Sequence, residues 1–175
     1  MVDVDLLMLA GDCGAYRGGV TLAENLPNDD KMSLTIGGGR RNVYHRQIRL
    51  GAKPEKIKER LNAHLDPEQH RYYNLEADHW FTIGHENTHS LGPTQGREKL
   101  GKYQSIIEEN KADVGAVSFI DMLTENGMYT QEQRLQILVT FAADNYLKEK
   151  PELTQAHRVR SIMQAQFLLR EGAIE

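Results

Sequence analysis

The chain has 175 residues, 39% hydrophobic and 26% charged, with five prolines, which excludes extended disorder and collagen-like repeats. Its formal charge of -4 gives no basic footprint for nucleic acid. The apolar run Leu6–Ala10 is too short to cross a bilayer and lacks the flanks of a signal peptide. Cys13 is a single cysteine and has no internal disulfide partner. We therefore predict one domain of a cytoplasmic protein that contacts neither membrane nor nucleic acid.

The first 50 residues are rich in glycine and in short apolar segments, which favours strands and turns. These segments are residues 4–10, 18–22, 32–36 and 42–50. The triplet Gly37-Gly38-Gly39 is typical of a hairpin connection, because glycine tolerates positive φ. We therefore predict a small N-terminal β-sheet.

The pattern becomes helical after residue 50. Pro54 can begin a helix that ends near His64, and Asp66-Pro67 can begin a second helix that runs from Glu68 to about Leu91. Three further helices are predicted, at about residues 101–123, 130–147 and 153–170. The sequence therefore predicts a mainly helical α+β fold with a β-rich part, residues 1–50, and a helical part, residues 51–175.

The second predicted helix contains the pattern His-Glu-x-x-His, from His85 to His89. Residues four apart share one face of a helix, so both imidazoles can bind one metal ion. Glu86 lies about 100° further round the helix, where its carboxylate can take a proton from water that the metal activates. The alternative is an ordinary amphipathic helix whose histidines are solvated or buried. The spacing favours a zinc-dependent hydrolase.

Catalytic zinc commonly has three protein ligands, so a third must come from elsewhere. The next predicted helix offers Glu108-Glu109-Asn110-Lys111-Ala112-Asp113, after a Gly-Pro turn that reverses the chain. Either Glu108 or Glu109 can complete the site, but not both, because adjacent helical residues diverge by about 100°. The other glutamate and Asp113 can accept hydrogen bonds from the ligand histidines. Taken alone, this segment is also typical of a solvated helical face.

The two segments together resemble the zinc-binding core of the dipeptidyl-peptidase III family. The resemblance is closest to the branch found as the peptidase-like part of plant proteins that also carry a Nudix domain. Asn25-Leu26-Pro27-Asn28 is similar to a family segment beside the strand on which the peptide lies, and Ala156-His157 is similar to a segment near the active site. Without the resemblance, the first of these is also a turn sequence and His157 a surface residue.

The resemblance implies a role for each matched residue. The metal ligands would be His85, His89 and Glu109, holding one Zn²⁺, and the catalytic residues would be Glu86 as general base and His157 as donor to the oxyanion. Glu108 and Asp113 would orient the ligands, and Asn25 and Asn28 would bind the peptide backbone. Arg158 and Arg160 are nearby cations that are alternatives to His157. Residues 1–50 would then bind substrate and residues 51–175 would bind zinc.

Family members are several times longer than this chain, and a separate lobe captures the amino terminus of the substrate. Well-studied members also have one more residue between the paired histidines. We therefore keep three hypotheses: a zinc peptidase of short peptides, a zinc-binding portion that needs an additional lobe or a homo-oligomer for activity, and a structural or interaction module with a degenerate motif.

Overall fold

The protein is mainly helical, as the sequence predicts. The computed structural model describes residues 2–4, 23–26, 35, 41–45, 54–93, 96–145 and 152–175. In chain order its helices are α1 (Pro54–His64), α2 (Leu75–His89), α3 (Gln104–Glu125), α4 (Gln131–Asn145) and α5 (Ala156–Arg170). Two 3₁₀ segments, Pro67–Tyr72 and Arg97–Tyr103, precede α2 and α3.

Three short strands are described in the N-terminal region: β1 (Val2–Val4), β2 (Ala23–Leu26) and β3 (Arg41–His45). β3 lies in the middle, parallel to β1 and antiparallel to β2. Thr35 is helical, so a strand over residues 32–36 is wrong. Gly37-Gly38-Gly39 and Cys13 lie outside the described residues. These strands cover little of residues 1–50, and a β-rich substrate-binding part there stays a prediction, as does the boundary at residue 50.

The predicted helix from Glu68 to about Leu91 is wrong in being continuous, although Asp66-Pro67 does begin a helical segment as predicted. The 3₁₀ segment ends at Tyr72, the next residue, Tyr73, has an extended backbone, and Asn74 caps α2 by accepting a 2.9 Å hydrogen bond from the Glu76 amide. The buried hydroxyl of Thr140 on α4 accepts a 2.9 Å bond from the amide of Asn74. A contact from a distant helix therefore fixes the point where α2 begins.

α1 has its predicted bounds and α5 its predicted end, whereas other helix boundaries differ from prediction by a few residues. Gly101 has a φ of 52°, outside helical geometry, so α3 begins three residues later than predicted. α4 is described only to Asn145, so its predicted end at residue 147 is not tested. α5 begins at Ala156, not residue 153, because the Gln155 side chain accepts a 3.1 Å bond from the Glu152 amide and closes a turn first.

The described core lies between α2, α3 and α4. Phe81 of α2 stacks on Phe141 of α4 with ring centroids 4.2 Å apart, and Ile120 and Ile137 pack into the same cluster. Phe81 precedes His85 by one helical turn, with ring centroids 6.2 Å apart. The apolar cluster therefore supports the helical turn that carries the first histidine of the motif.

Candidate metal centre

Small residues bring α2 and α3 into close contact beside the histidine motif. A Cβ atom placed on Gly115 of α3 would lie 2.2 Å from Cγ2 of Thr88, and one placed on Gly84 of α2 would lie 3.2 Å from Cβ of Ala116. At Gly115 a larger residue would force a shift, and at Gly84 it would make a tight contact. The two backbones therefore approach closely enough for side chains of both helices to meet at one point.

Three ligand atoms converge at this crossing. The Nε2 atoms of His85 and His89 are 3.1 Å apart. Oε2 of Glu109 on α3 lies 3.3 Å from Nε2 of His85 and 3.9 Å from Nε2 of His89. All three ligand atoms lie within 4.8 Å of one another, as atoms that share one metal ion do. The second glutamate of the pair, Glu109, is therefore the one that faces both imidazoles.

Each histidine has a carboxylate on its other ring nitrogen. Nδ1 of His85 is 2.7 Å from Oδ1 of Asp113, and Nδ1 of His89 is 3.1 Å from Oε1 of Glu108. An ionised carboxylate only accepts hydrogen bonds, so Nδ1 of each ring carries a hydrogen, and a ring in its neutral form has its lone pair on Nε2. Nε2 of two imidazoles and one carboxylate oxygen thus face each other, an arrangement that a cation stabilises.

The pKa shifts of His89 and Glu109 favour a neutral imidazole and an ionised carboxylate. Burial lowers the pKa of His89, and the neighbouring His85 lowers it further against the opposing effect of Glu108, so the neutral imidazole is favoured. Burial works to raise the pKa of Glu109, but a hydrogen bond from His85 and positive charge on His157, His85 and His89 lower it overall. Oε2 of Glu109 is also buried without a hydrogen-bond partner among the residues described. These are properties of metal ligands.

The two carboxylates that contact Nδ1 of the histidines, Glu108 and Asp113, each have a cationic partner. Nζ of Lys111 is 2.7 Å from Oε1 of Glu108, and Nη1 of Arg97 is 3.6 Å from its Oε2. Burial works to raise the pKa of Glu108, but hydrogen bonds from Lys111 and His89 lower it overall. Lys111 also donates a 2.8 Å bond to the carbonyl of Leu91, just beyond the end of α2. Glu108 is therefore ionised and fixed against the last turn of α2.

Asp113 is 1% exposed and ion-paired with Arg160 of α5, which is also buried. Gln164, one turn further along α5, donates a 3.2 Å bond to Oδ2 of Asp113 and another of the same length to Oδ1 of Asn110. Sequence reasoning assigned no role to Gln164, Lys111 or Arg97. The spacing of Lys111 three residues after Glu108 is the one local signal that could have indicated such a pair.

Of the two predicted catalytic side chains, the structure places that of His157 beside a ligand. Glu86 is buried in α2 next to His85. His157, in the first turn of α5, has Nδ1 3.1 Å from Oε2 of Glu109, and its side chain is 68% exposed. The structure thus brings His157 to the solvent side of the site. Arg160 instead pairs with the buried carboxylate of Asp113.

Of the two predicted peptide-binding asparagines, one lies in a described strand and the other lies outside the described residues. Asn25 is in β2, where its backbone pairs with Asn42 of β3. Asn28 lies outside the described residues. Asn42 is buried and donates a 2.9 Å bond to Oδ1 of Asn87, inside the histidine motif, and Asn87 donates a 3.3 Å bond to the hydroxyl of Tyr44. β3 is therefore joined directly to the helix that carries the ligands.

Two solved structures share this fold over 87% of the chain. One is DPP III from Caldithrix abyssi, with 30% sequence identity and a TM-score of 0.75. The other is dipeptidyl-peptidase III from Corallococcus sp. strain EGB, with 25% identity and a TM-score of 0.76. This chain is similar to one part of dipeptidyl-peptidase III. The resemblance that the two motifs predict is thereby confirmed.

The similarity to DPP III covers 30% of each of those two chains. Nudix hydrolase 3 of Arabidopsis thaliana is 24% identical over 180 residues, which cover 97% of this chain and 23% of the plant protein. No family model matches the chain. Among the described residues, no helix is both long and apolar enough to cross a membrane. The chain thus spans less than a third of the length of the proteins it resembles.

Proposed function

We propose that this chain is the zinc-binding catalytic portion of a peptidase that hydrolyses short peptides. The observation that carries the proposal is the convergence of Nε2 of two imidazoles and one carboxylate oxygen, while Nδ1 of each histidine faces another carboxylate. Two nitrogen ligands and one oxygen ligand suit zinc, and three protein ligands leave a position for substrate. The likeness to dipeptidyl-peptidase III supports peptide hydrolysis as the reaction.

The ion would be held by His85, His89 and Glu109. When bound, zinc lowers the pKa of water and polarises a carbonyl. The chain's own residues would do the rest: Glu86 would take a proton from the attacking water, as its place beside His85 on α2 allows. His157, on the solvent side, would donate a hydrogen bond to the oxyanion that forms on the substrate.

The peptide would lie along the strands next to α2. β2 and β3 both pack on α2, and among the described strands β2 is at an edge, where its backbone can pair with an extended peptide. Asn25 belongs to this strand, and Asn28 follows it. Amide side chains both donate and accept, which suits a peptide backbone. We therefore assign residues 1–50 to substrate binding and residues 51–175 to the zinc centre.

A second candidate is a zinc-binding portion that is inactive until another lobe or a second copy is present. The observation that favours it is length, because the chain matches only 30% of each dipeptidyl-peptidase III structure. The same three ligands would hold the ion in this case. The difference lies in turnover, since capture of the substrate would need groups from outside this chain.

The test combines elemental analysis with peptide hydrolysis by the full chain, purified without chelator. We expect one zinc per chain and cleavage of short peptides that a chelator stops. Glu86→Gln should keep the zinc and lower the cleavage rate by about 10² to 10⁴-fold, the usual contribution of a general base. Glu125→Gln, the same change at the exposed end of α3, is the matched control and should have the native rate.

The outcomes separate the hypotheses. If Glu86→Gln cleaves peptides at the native rate, Glu86 is not the base. If the native chain holds zinc but cleaves peptides only after a second lobe is added, the second candidate is correct. If the native chain holds no stoichiometric metal, the chain is a structural or interaction module and both candidates are refuted.

A further inference from the structure

Arg160 is a buried cation close to the candidate metal centre that does not touch the three ligand atoms. It lies on α5 with 6% exposure, and its guanidinium forms an ion pair with Oδ2 of Asp113. Burial lowers its pKa to about 10, against the attraction of Glu109, so Arg160 still carries its charge at neutral pH. Removing a charge from water costs free energy, and a specific partner of opposite charge offsets that cost.

The partner, Asp113, has both carboxylate oxygens in use. Oδ1 accepts the hydrogen on Nδ1 of His85 at 2.7 Å, and Oδ2 faces Arg160 and the 3.2 Å hydrogen bond from Gln164. Asp113 is 1% exposed, so water does not hold this carboxylate in place. Its rotation about the side chain is therefore fixed from α5, and that rotation sets the direction of the His85 ring.

We propose that Arg160, assisted by Gln164, is a positioning residue that acts through Asp113 to hold Nε2 of His85 toward the metal. The inference rests on the proposed zinc centre and assigns to α5 a role in ligand geometry. It also gives Arg160 a role other than the oxyanion contact considered from sequence, because the guanidinium is directed at Asp113. Arginine suits this role because its planar fork of donors is rigid and keeps its charge when buried.

The corresponding support of His89 is more open to solvent. Glu108 is held by Lys111 and Arg97, whose side chains are 29% and 22% exposed, whereas that of Arg160 is 7% exposed. Water can replace part of what a lost Lys111 or Arg97 provides, but it cannot easily reach Asp113. We therefore expect the His85 side of the site to depend more strongly on its cation.

The experiment measures zinc affinity of the full chain by competition with a chromophoric chelator. Arg160→Gln should weaken zinc binding by about 10 to 100-fold, the usual effect of losing a group that orients a ligand. Arg160→Lys restores the charge without the fork and should recover part of the loss. Arg170→Gln removes the same charge from the exposed end of the same helix and should leave the affinity unchanged.

A second measurement follows the hydrogen bond itself in metal-free protein. The proton on Nδ1 of His85, bonded to a buried carboxylate, should give a downfield proton resonance that Arg160→Gln shifts or broadens and Arg170→Gln leaves in place. A role of Arg160 in packing alone would not move this signal in a folded variant. Circular dichroism establishes that each variant is folded.

Should Arg160→Gln fail to fold, Gln164→Leu tests the same idea, because it removes the other described contact to Oδ2 of Asp113 from a less buried position. It should weaken zinc binding severalfold. Native zinc affinity in folded Arg160→Gln, or in Gln164→Leu if the former does not fold, overturns the inference. A native chain that binds no zinc overturns the proposed function instead, and the His85 proton resonance then reports separately on the Arg160–Asp113 support.

Discussion

The close crossing of α2 and α3 predicts that Gly115→Ala perturbs both the fold and metal binding. The added Cβ would lie 2.2 Å from Cγ2, 2.8 Å from Oγ1 and 3.1 Å from Cβ of Thr88. Rotation of the Thr88 side chain relieves the first two contacts at most, because Cβ does not move with it. Oγ1 is also bonded to the carbonyl of Gly84 at 2.8 Å. The helices must therefore move apart.

The size of the effect follows from these distances. Ordinary contact begins at 3.4 Å, so the closest pair is short by roughly 1 Å. Overpacking of this kind costs about 1–3 kcal/mol, while the higher helix propensity of alanine returns about 1 kcal/mol. We expect a net loss of about 0–2 kcal/mol of unfolding free energy, which lowers Tm by up to roughly 8 °C for a chain of this size.

Metal affinity should fall in the same variant, because displacement of α3 moves Glu109 away from both histidines. We expect zinc to bind about tenfold more weakly, similar to the loss of a group that orients a ligand. Differential scanning calorimetry of metal-free protein and chelator competition measure the two effects. Thr88→Ala in the Gly115→Ala background removes two of the three short contacts and should recover much of the affinity. A Gly115→Ala variant that is more stable than the native chain, with native zinc affinity, would refute the close crossing.

Two further predictions concern the ligand pair and the start of α2. Glu109→Ala should abolish stoichiometric zinc binding, whereas Glu108→Ala should weaken it by about 10 to 100-fold, because only the former loses a ligand atom. Elemental analysis and chelator competition measure both effects. Equal losses in the two variants would show that the two roles are misassigned. Asn74→Ala should lower the unfolding free energy by about 1 kcal/mol through loss of the helix cap, measured by urea denaturation, with zinc affinity unchanged. A native midpoint would contradict the capping contact.

Much of the candidate site follows from local spacing. The four-residue separation of His85 and His89 places both rings on one helical face whatever surrounds them. The same rule says that only one of Glu108 and Glu109 faces the ligands, but not which one, because that depends on how α3 is rotated against α2. The rotation is set by Gly115 and its neighbours at the crossing, a contact between residues far apart in the chain. The structure, not the spacing, therefore brings Glu109 to the ligand nitrogens.

The features that the sequence does not predict also depend on contacts between residues far apart in the chain. The start of α2 depends on a bond between Asn74 and Thr140, which are 66 residues apart. The support of Asp113 by Arg160 requires α5 to pack on α3, which periodicity alone does not reveal. Asn74 is a strong capping residue directly before Leu75 and by itself predicts the observed start of α2. Pro67 predicts a helix start further upstream, and that prediction was the one made. Local rules thus predicted the helices, while their exact ends depended on tertiary contacts.

The proposed ligands and the groups that orient them lie on three helices, with Glu108, Glu109 and Asp113 all within two turns of α3. Opening of α2, α3 or α5 by itself would separate an ion from part of its shell, so a bound ion should make these helices open as one cooperative unit. Among the described residues α1 packs on α4, outside that unit, so its amide exchange should not respond to the ion. Metal binding could then be followed by measuring amide hydrogen exchange in each helix, without any substrate.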